Sequence, residues 1–136
     1  MGNRLLSITV AILMAVVSIQ ACGQSEKKTS KENSRITAAE FQDKIDKEPG
    51  AVIDVRTRDE YDRGHLASVD YHLNLLNGDF EASLDSLEKD KTYYLYCRTG
   101  NRSGQAADLM KQNGFEEVYN IGGFQDLVDA GVAPNK

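Results

Sequence analysis

At 136 residues the chain has room for one domain of ordinary size with short appendages. Its formal net charge of -5 excludes a general nucleic-acid role, which needs a basic surface. Two cysteines, Cys22 and Cys97, rule out a disulfide framework, and neither stands at metal-ligand spacing from His65 or His72, so no metal and no cofactor is read from these residues.

Arg4 is followed by an apolar run from Leu5 to Ile19 broken only by Ser and Thr. Fifteen residues fall short of the roughly 20 needed to span a bilayer but suit a signal-peptide core. The run ends in Ile19-Gln20-Ala21-Cys22, which resembles a bacterial lipobox. We therefore expect a signal peptide over residues 1–21 and a lipid on Cys22. The mature chain would be an exported, membrane-anchored lipoprotein facing the periplasm or cell surface. Ordinary secretion is the competing reading, since small residues also flank Cys22. The lipid is preferred for a chemical reason: a free Cys22 on a loose tail would pair with a reactive Cys97 in an oxidising compartment, whereas a thioether cannot. Gly23 to Ser34 holds no aliphatic residue and cannot bury a core, so residues 22–34 read as a lipidated cysteine and disordered tether.

The domain is expected over residues 35–133. Thr37-Ala38-Ala39-Glu40 has the form of a capping box, with Phe41 and Ile45 on one helical stripe and Glu48-Pro49-Gly50 as its stop. Ala51 to Val55 is apolar enough for a strand buried on both faces. Thr57-Arg58-Asp59-Glu60 is a second capping box, opening a short helix that Gly64 stops. Asp79 is expected to cap a helix carrying Phe80, Leu84 and Leu87 at positions i, i+4 and i+7. After the strand that contains Tyr93, Tyr94 and Tyr96 come a helix stopped by Asn113-Gly114 and a strand from Val118 to Ile121. A Gly122-Gly123 turn and a last helix through Ala130, stopped by Gly131, complete the order. Strands alternating with helices imply an α/β domain with a mainly parallel central sheet of about five strands flanked by helices.

The stretch Cys97-Arg98-Thr99-Gly100-Asn101-Arg102-Ser103 joins that tyrosine-rich strand to its helix. The first N–H groups of a helix lack intrahelical partners and carry partial positive charge. A tight loop curled over them forms an anion nest. A cysteine at its mouth, with Arg98 and Arg102 beside it, should ionise more easily than a free thiol and needs no separate base. In an acidic chain the arginine pair points to a small anion.

The stretch resembles the active-site loop of the rhodanese family of sulfurtransferases, in which a cysteine, a six-residue loop and the following helix hold a cysteine persulfide. Val52 to Arg56, Glu60-Tyr61, Gly64-His65-Leu66 and Val118 to Gly123 are similar to further landmarks of that family, and the likeness runs from about Arg35 to Val132. The chain departs from the usual pattern over Ala67 to Leu73, and the family's tryptophan in the last helix is absent, with Leu127 near its place.

The resemblance implies a thiosulfate sulfurtransferase, with Cys97 as nucleophile taking sulfur from a small anionic donor and passing it to a thiol, to cyanide or to a protein acceptor. Arg98 and Arg102 are the expected anion-binding residues, one of which would instead pair with Asp54 or Asp108. The Thr99, Gly100, Asn101 and Ser103 backbone would cradle the terminal sulfur. Asp54, Arg56 and His65 are expected to brace the site. Two other classes compete: a non-catalytic sulfur carrier or sensor, and a cysteine phosphatase or arsenate reductase. The last is disfavoured because Cys97 and Arg102 enclose four residues, one fewer than such enzymes use.

Overall fold

Alternation along two central strands divides the core. Strand β1 (Ala51–Asp54) lies parallel to β4 (Thr92–Cys97), with Ile53 opposite Leu95 and Asp54 opposite Tyr96. Successive side chains of a strand point to opposite faces. Ile53, Val55, Tyr93, Leu95 and Cys97 therefore share one face with Phe80, Ala106, Met110 and Phe115. Val52, Tyr94 and Tyr96 share the other with Phe41, Leu66 and Leu127. Near-continuous burial of both strands is what a parallel sheet covered on both sides requires.

The computed structural model describes residues 34–135. The expected leader, Cys22 and the tether up to residue 33 lie outside the described residues. Among the described residues no helix is long and apolar enough to cross a membrane.

The sheet is parallel throughout and has the order β3-β1-β4-β5, with β3 (Tyr71–His72) beside β1 and β5 (Glu117–Gly123) beside β4. It has four strands rather than about five. Among the described residues the place beyond β5 holds a single bridge between Arg35 and Asn120, because Thr37 turns the chain into helix two residues later. A separate antiparallel pair joins β2 (His65–Leu66) to β6 (Pro134–Asn135), so the fold continues past residue 133. At the other end the Ser34 carbonyl accepts from the Asn120 N–H at 2.8 Å, which ties the last residue of the expected tether to β5.

Both capping boxes form, opening α1 (Ala38–Lys47) and α2 (Arg58–Asp62). The third helix differs from expectation. Gly78, at φ 88°, is the cap of α3 (Asp79–Ser83), and Asp79 is its first residue, its N–H donating to Asn77 Oδ1 at 3.1 Å. The helix tightens to a 3₁₀ turn over Leu84–Ser86, where Ser83 and Ser86 hydroxyls donate to nearby carbonyls and compete with the helical pattern. Leu87 falls beyond it yet still packs on the core. The glycine pair also differs: Gly122 and Gly123 end β5 instead of forming a turn. A bulge at Ile121 leaves Tyr96 paired with Gly122 and Cys97 with Gly123, and α5 (Phe124–Asp129) starts at once.

The segment from Leu66 to Asp79, which contains the departure over Ala67 to Leu73, runs along the edge of β1. Asp70 exchanges two bonds with Val52, and the Leu73 and Leu75 N–H groups donate to Asp54 and Val55 carbonyls. Leaving β1, the chain goes first to β3 on one side and then to β4 on the other. Their carboxyl ends thus form a topological switch point, where sites in open α/β sheets lie.

One buried ion pair holds that end of β1. Arg56 donates to both Asp54 oxygens at 2.7–3.0 Å and to the Gly64 carbonyl at 2.7 Å, with Asp54 fully buried and Arg56 4% exposed. Removing one partner leaves a buried uncompensated charge. Asp54→Ala is expected to lower unfolding free energy by about 3–5 kcal/mol in denaturant titration. Arg58→Ala, which breaks a pair between exposed side chains, should change it by less than about 0.5 kcal/mol.

Candidate active site

Strand β4 delivers Cys97 to the switch point with its side chain on the face covered by α4 (Asn101–Gln112). The residue is fully buried. Its Sγ accepts from the Gly100 N–H at 3.0 Å and lies 3.4 Å from the Ser103 hydroxyl. Burial pushes the thiol up, but the Ser103 hydroxyl and the Ser103, Thr99 and Gly100 amides outweigh it and hold the thiol below its ordinary value. The anion is thus stabilised mainly by the loop's own donors, and the flanking arginines are not among the leading causes.

The loop can close this tightly because of two glycines. Gly100 caps α4 with φ 92°, a conformation other residues rarely adopt, and a Cβ there would also sit 2.6 Å from the Arg35 guanidinium. A Cβ on Gly123 would stand 2.6 Å from the Arg98 carbonyl and 3.2 Å from Thr99 Cα, so bare backbone on β5 lets the loop lie against it.

The two arginines have different surroundings. Arg102, half-buried, forks onto Glu60 with two bonds of 2.8 Å, not onto Asp54 or Asp108. The Thr57 cap of α2 also binds Glu60, so one carboxylate joins α2 to α4. Arg102 above all, with Thr57 assisting, holds the Glu60 carboxyl at about 2. Arg98 is exposed and has no ion pair among the described residues. It lines a cleft of about 440 Å³ with Arg56, Glu60, Arg63, Gly64 and Phe124. Thr99 and Asn101 are also exposed, with Asn101 Oδ1 accepting from Gln105.

His65 and His72 do not approach the sulfur through any hydrogen bond. They stack on the two faces of Tyr61, at 3.9 and 4.3 Å between ring centres. His65 Nδ1 lies 3.2 Å from the Tyr61 carbonyl and His72 Nε2 lies 2.9 Å from that of Arg56. Asn74 accepts from the Leu76 N–H and takes no part in the loop. Among the described residues no cluster of three or more His, Cys, Asp or Glu residues is arranged to hold a metal ion.

Sequence reasoning missed Asn120 and Arg35. Asn120 Nδ2 donates to the Gly100 carbonyl at 2.8 Å, and Arg35 covers the outside of the same glycine. A signal for Asn120 was present: an amide is disfavoured inside a buried strand unless it has fixed partners. Arg35 gives no such signal, being one charge at a domain edge.

Cys97 thus stands at the end of a parallel strand, faced by loop donors above a helix start. The rhodanese-like domain family matches residues 37–130. The chain belongs to that family. A rhodanese-related protein of Thermoplasma volcanium shares its fold, with a TM-score of 0.63 at 29% identity over 74% of this chain and 96% of that one. Thiosulfate sulfurtransferase GlpE of Coxiella burnetii is 30% identical over 92 residues, 67% of this chain and 83% of that protein. YrkF of Bacillus subtilis, named for a proposed sulfur-carrier role, is 30% identical over 100 residues, 73% of this chain. The chain spans about half, 52%, of YrkF's length. The chain thus spans most of the length of the two shorter proteins and about half of the longer one.

The Glu60–Arg102 bridge sets a pH dependence. The Glu60 carboxyl titrates near 4.5 when unpaired and at about 2 in the folded protein. Its contribution to stability is therefore complete above about pH 4.5 and fades as pH falls towards 2. The Tm gap between wild type and Glu60→Gln should be constant above pH 5.5 and close between pH 4.5 and 2.5. An unchanged gap across that window would remove Glu60 as the acid-labile link.

Proposed function

We propose that the protein is a sulfurtransferase that carries a sulfane sulfur on Cys97. The observation that supports this best is the buried Cys97 sulfur facing the Gly100 N–H and Ser103 hydroxyl, which favour an anion without a general base. In the first half-reaction the Cys97 thiolate attacks the outer sulfur of a donor such as thiosulfate. The S–S bond of the donor breaks, sulfite leaves with the electron pair, and Cys97 becomes a persulfide anion. In the second, an acceptor nucleophile, a thiolate or cyanide, bonds to the terminal sulfur. The S–S bond to Cys97 breaks and the thiolate is restored. Charge and atoms balance in both steps, with no external oxidant.

The donor is expected to approach through the cleft that Arg98 lines, where Arg63 adds positive charge and the charges of Arg56 and Glu60 are already matched by Asp54 and Arg102. The same pairing speaks against phosphoryl transfer. Arg102 has both terminal nitrogens on Glu60, so its fork is not free for an oxyanion, and Glu60 held at about 2 cannot serve as a proton donor near neutral pH. A carrier role uses the same persulfide and differs only in the acceptor.

Intact-mass analysis after incubation with thiosulfate should show one added sulfur, which Cys97→Ser abolishes together with thiosulfate:cyanide transfer. Hydrolysis of an aryl phosphate should be negligible. Absence of the added mass on a folded protein, or strong phosphatase turnover, would sink the proposal.

We also carry forward the reading of Cys22 as a lipid acceptor that anchors the domain to a membrane outside the cytoplasm. Its support is the Ile19-Gln20-Ala21-Cys22 pattern behind an apolar run. Fractionation should place wild type with membranes and Cys22→Ala in the soluble fraction. A fully soluble wild type would refute it.

A further inference from the structure

Asn120 sits in β5 with 4% exposure, and every polar atom it has is engaged. Its backbone N–H donates to the Ser34 carbonyl at 2.8 Å and its carbonyl accepts from the Ile36 N–H at 2.9 Å. Its Oδ1 accepts from the Ser103 hydroxyl at 2.8 Å and from the Gly122 N–H at 3.0 Å. Its Nδ2 donates to the Gly100 carbonyl at 2.8 Å. Both residues that face the Cys97 sulfur at hydrogen-bond range, Gly100 and Ser103, are therefore held by this one carboxamide.

A hydroxyl has a single proton to donate. The Ser103 hydroxyl faces two acceptors, Asn120 Oδ1 at 2.8 Å and Cys97 Sγ at 3.4 Å, and while the sulfur is a neutral thiol the amide oxygen is the stronger acceptor. A charged acceptor attracts a donor more strongly than a neutral one. We propose that Asn120 is a positioning residue for Cys97: it fixes the Gly100 peptide whose N–H donates to the sulfur, and it holds the Ser103 proton until Sγ becomes negative. Resting on the sulfurtransferase reading, this assigns Ser103 a larger role when the thiolate leaves than in the persulfide, where the charge lies one atom further out. No proton changes owner; the hydroxyl turns from one acceptor to the other.

The other charged groups around the loop are Arg102 with Glu60, Asp54 with Arg56, the exposed Arg98, Arg35 beside Gly100 and Asp126 beside Gly123. None is altered by the substitutions that test the proposal. Asn120→Ala has two opposed effects on the thiolate: it frees the Ser103 hydroxyl for the sulfur, and it loosens the Gly100 peptide. In a Ser103→Ala background only the second remains.

The test is a double-mutant cycle on the full chain, read as iodoacetamide alkylation of Cys97 against pH by peptide-resolved mass spectrometry, so that Cys22 does not interfere. Asn120→Ala should raise the pH midpoint more in the Ser103→Ala background than in wild type, with a difference on the order of threefold in rate at a fixed pH. A shift that is equal or smaller in that background overturns the proposal, as does a change in Tm with no change in midpoint in the Ser103→Ala background. If Asn120→Ala does not fold, Asn120→Asp decides. It puts a charged acceptor before the Ser103 hydroxyl and a charge near the sulfur; the charge acts with or without Ser103, so the midpoint must rise more in wild type than in Ser103→Ala, and an equal rise overturns the proposal. Alkylation requires no sulfur transfer, so this outcome is independent of whether thiosulfate loads Cys97.

Discussion

A sulfur anion at the end of a buried strand is stable only where donors replace the water it has lost. That requirement organises this domain. The donors come from a seven-residue stretch, and each can reach Cys97 only if the chain turns sharply between β4 and α4. Gly100 supplies the turn, Gly123 clears the space beneath the loop, and Ser103 returns from the first turn of the helix to the sulfur it left six residues earlier. Helix α4 is capped by a glycine without a side-chain bond, which leaves its first amides for the sulfur instead of for its own cap.

Charges near the site are largely spent on structure. Asp54 and Arg56 hold the end of β1, and Glu60 and Arg102 join α2 to α4. Arg102, which the sequence directs at an anion, thus joins Arg56 in bracing the walls of the site. The positive charge left for an anion is that of exposed side chains at the rim, Arg98 and Arg63. A phosphate ester would need a fork of donors around a central atom, and the arginine placed to give one is already occupied.

The two histidines show how stacking substitutes for chemistry. His65 and His72 enclose Tyr61 and fasten the α2 region to the edge of the sheet, with one ring nitrogen of each near a backbone carbonyl. Neither ring is hydrogen-bonded to the Cys97 sulfur.

Much of the fold was legible in the sequence, because its signals are local. Capping boxes at Thr37 and Thr57 announce helices through atoms three residues apart, and the apolar runs at Val52 and Leu95 can be satisfied only by a covered parallel sheet. The cysteine loop was legible for the same reason, since its chemistry is set by consecutive residues. The choice of Gly78 over Asp79 as a cap, and the strand ending at Gly122-Gly123, were decided by backbone angles and by a bulge that propensity does not record. The Asp54–Arg56 pair was legible because its members are two residues apart, whereas partners distant in sequence were not. Arg102 meets Glu60 across 42 positions of sequence, and Asn120 reaches Gly100 across 20, distances over which a chain can close in many ways. The sequence by itself determined which thiol is surrounded by donors, because a thiol before a glycine-bearing turn and a helix start draws them from its own neighbours. Only the tertiary structure decided which charges remain free to meet a substrate, because pairing depends on which elements the sheet order brings together.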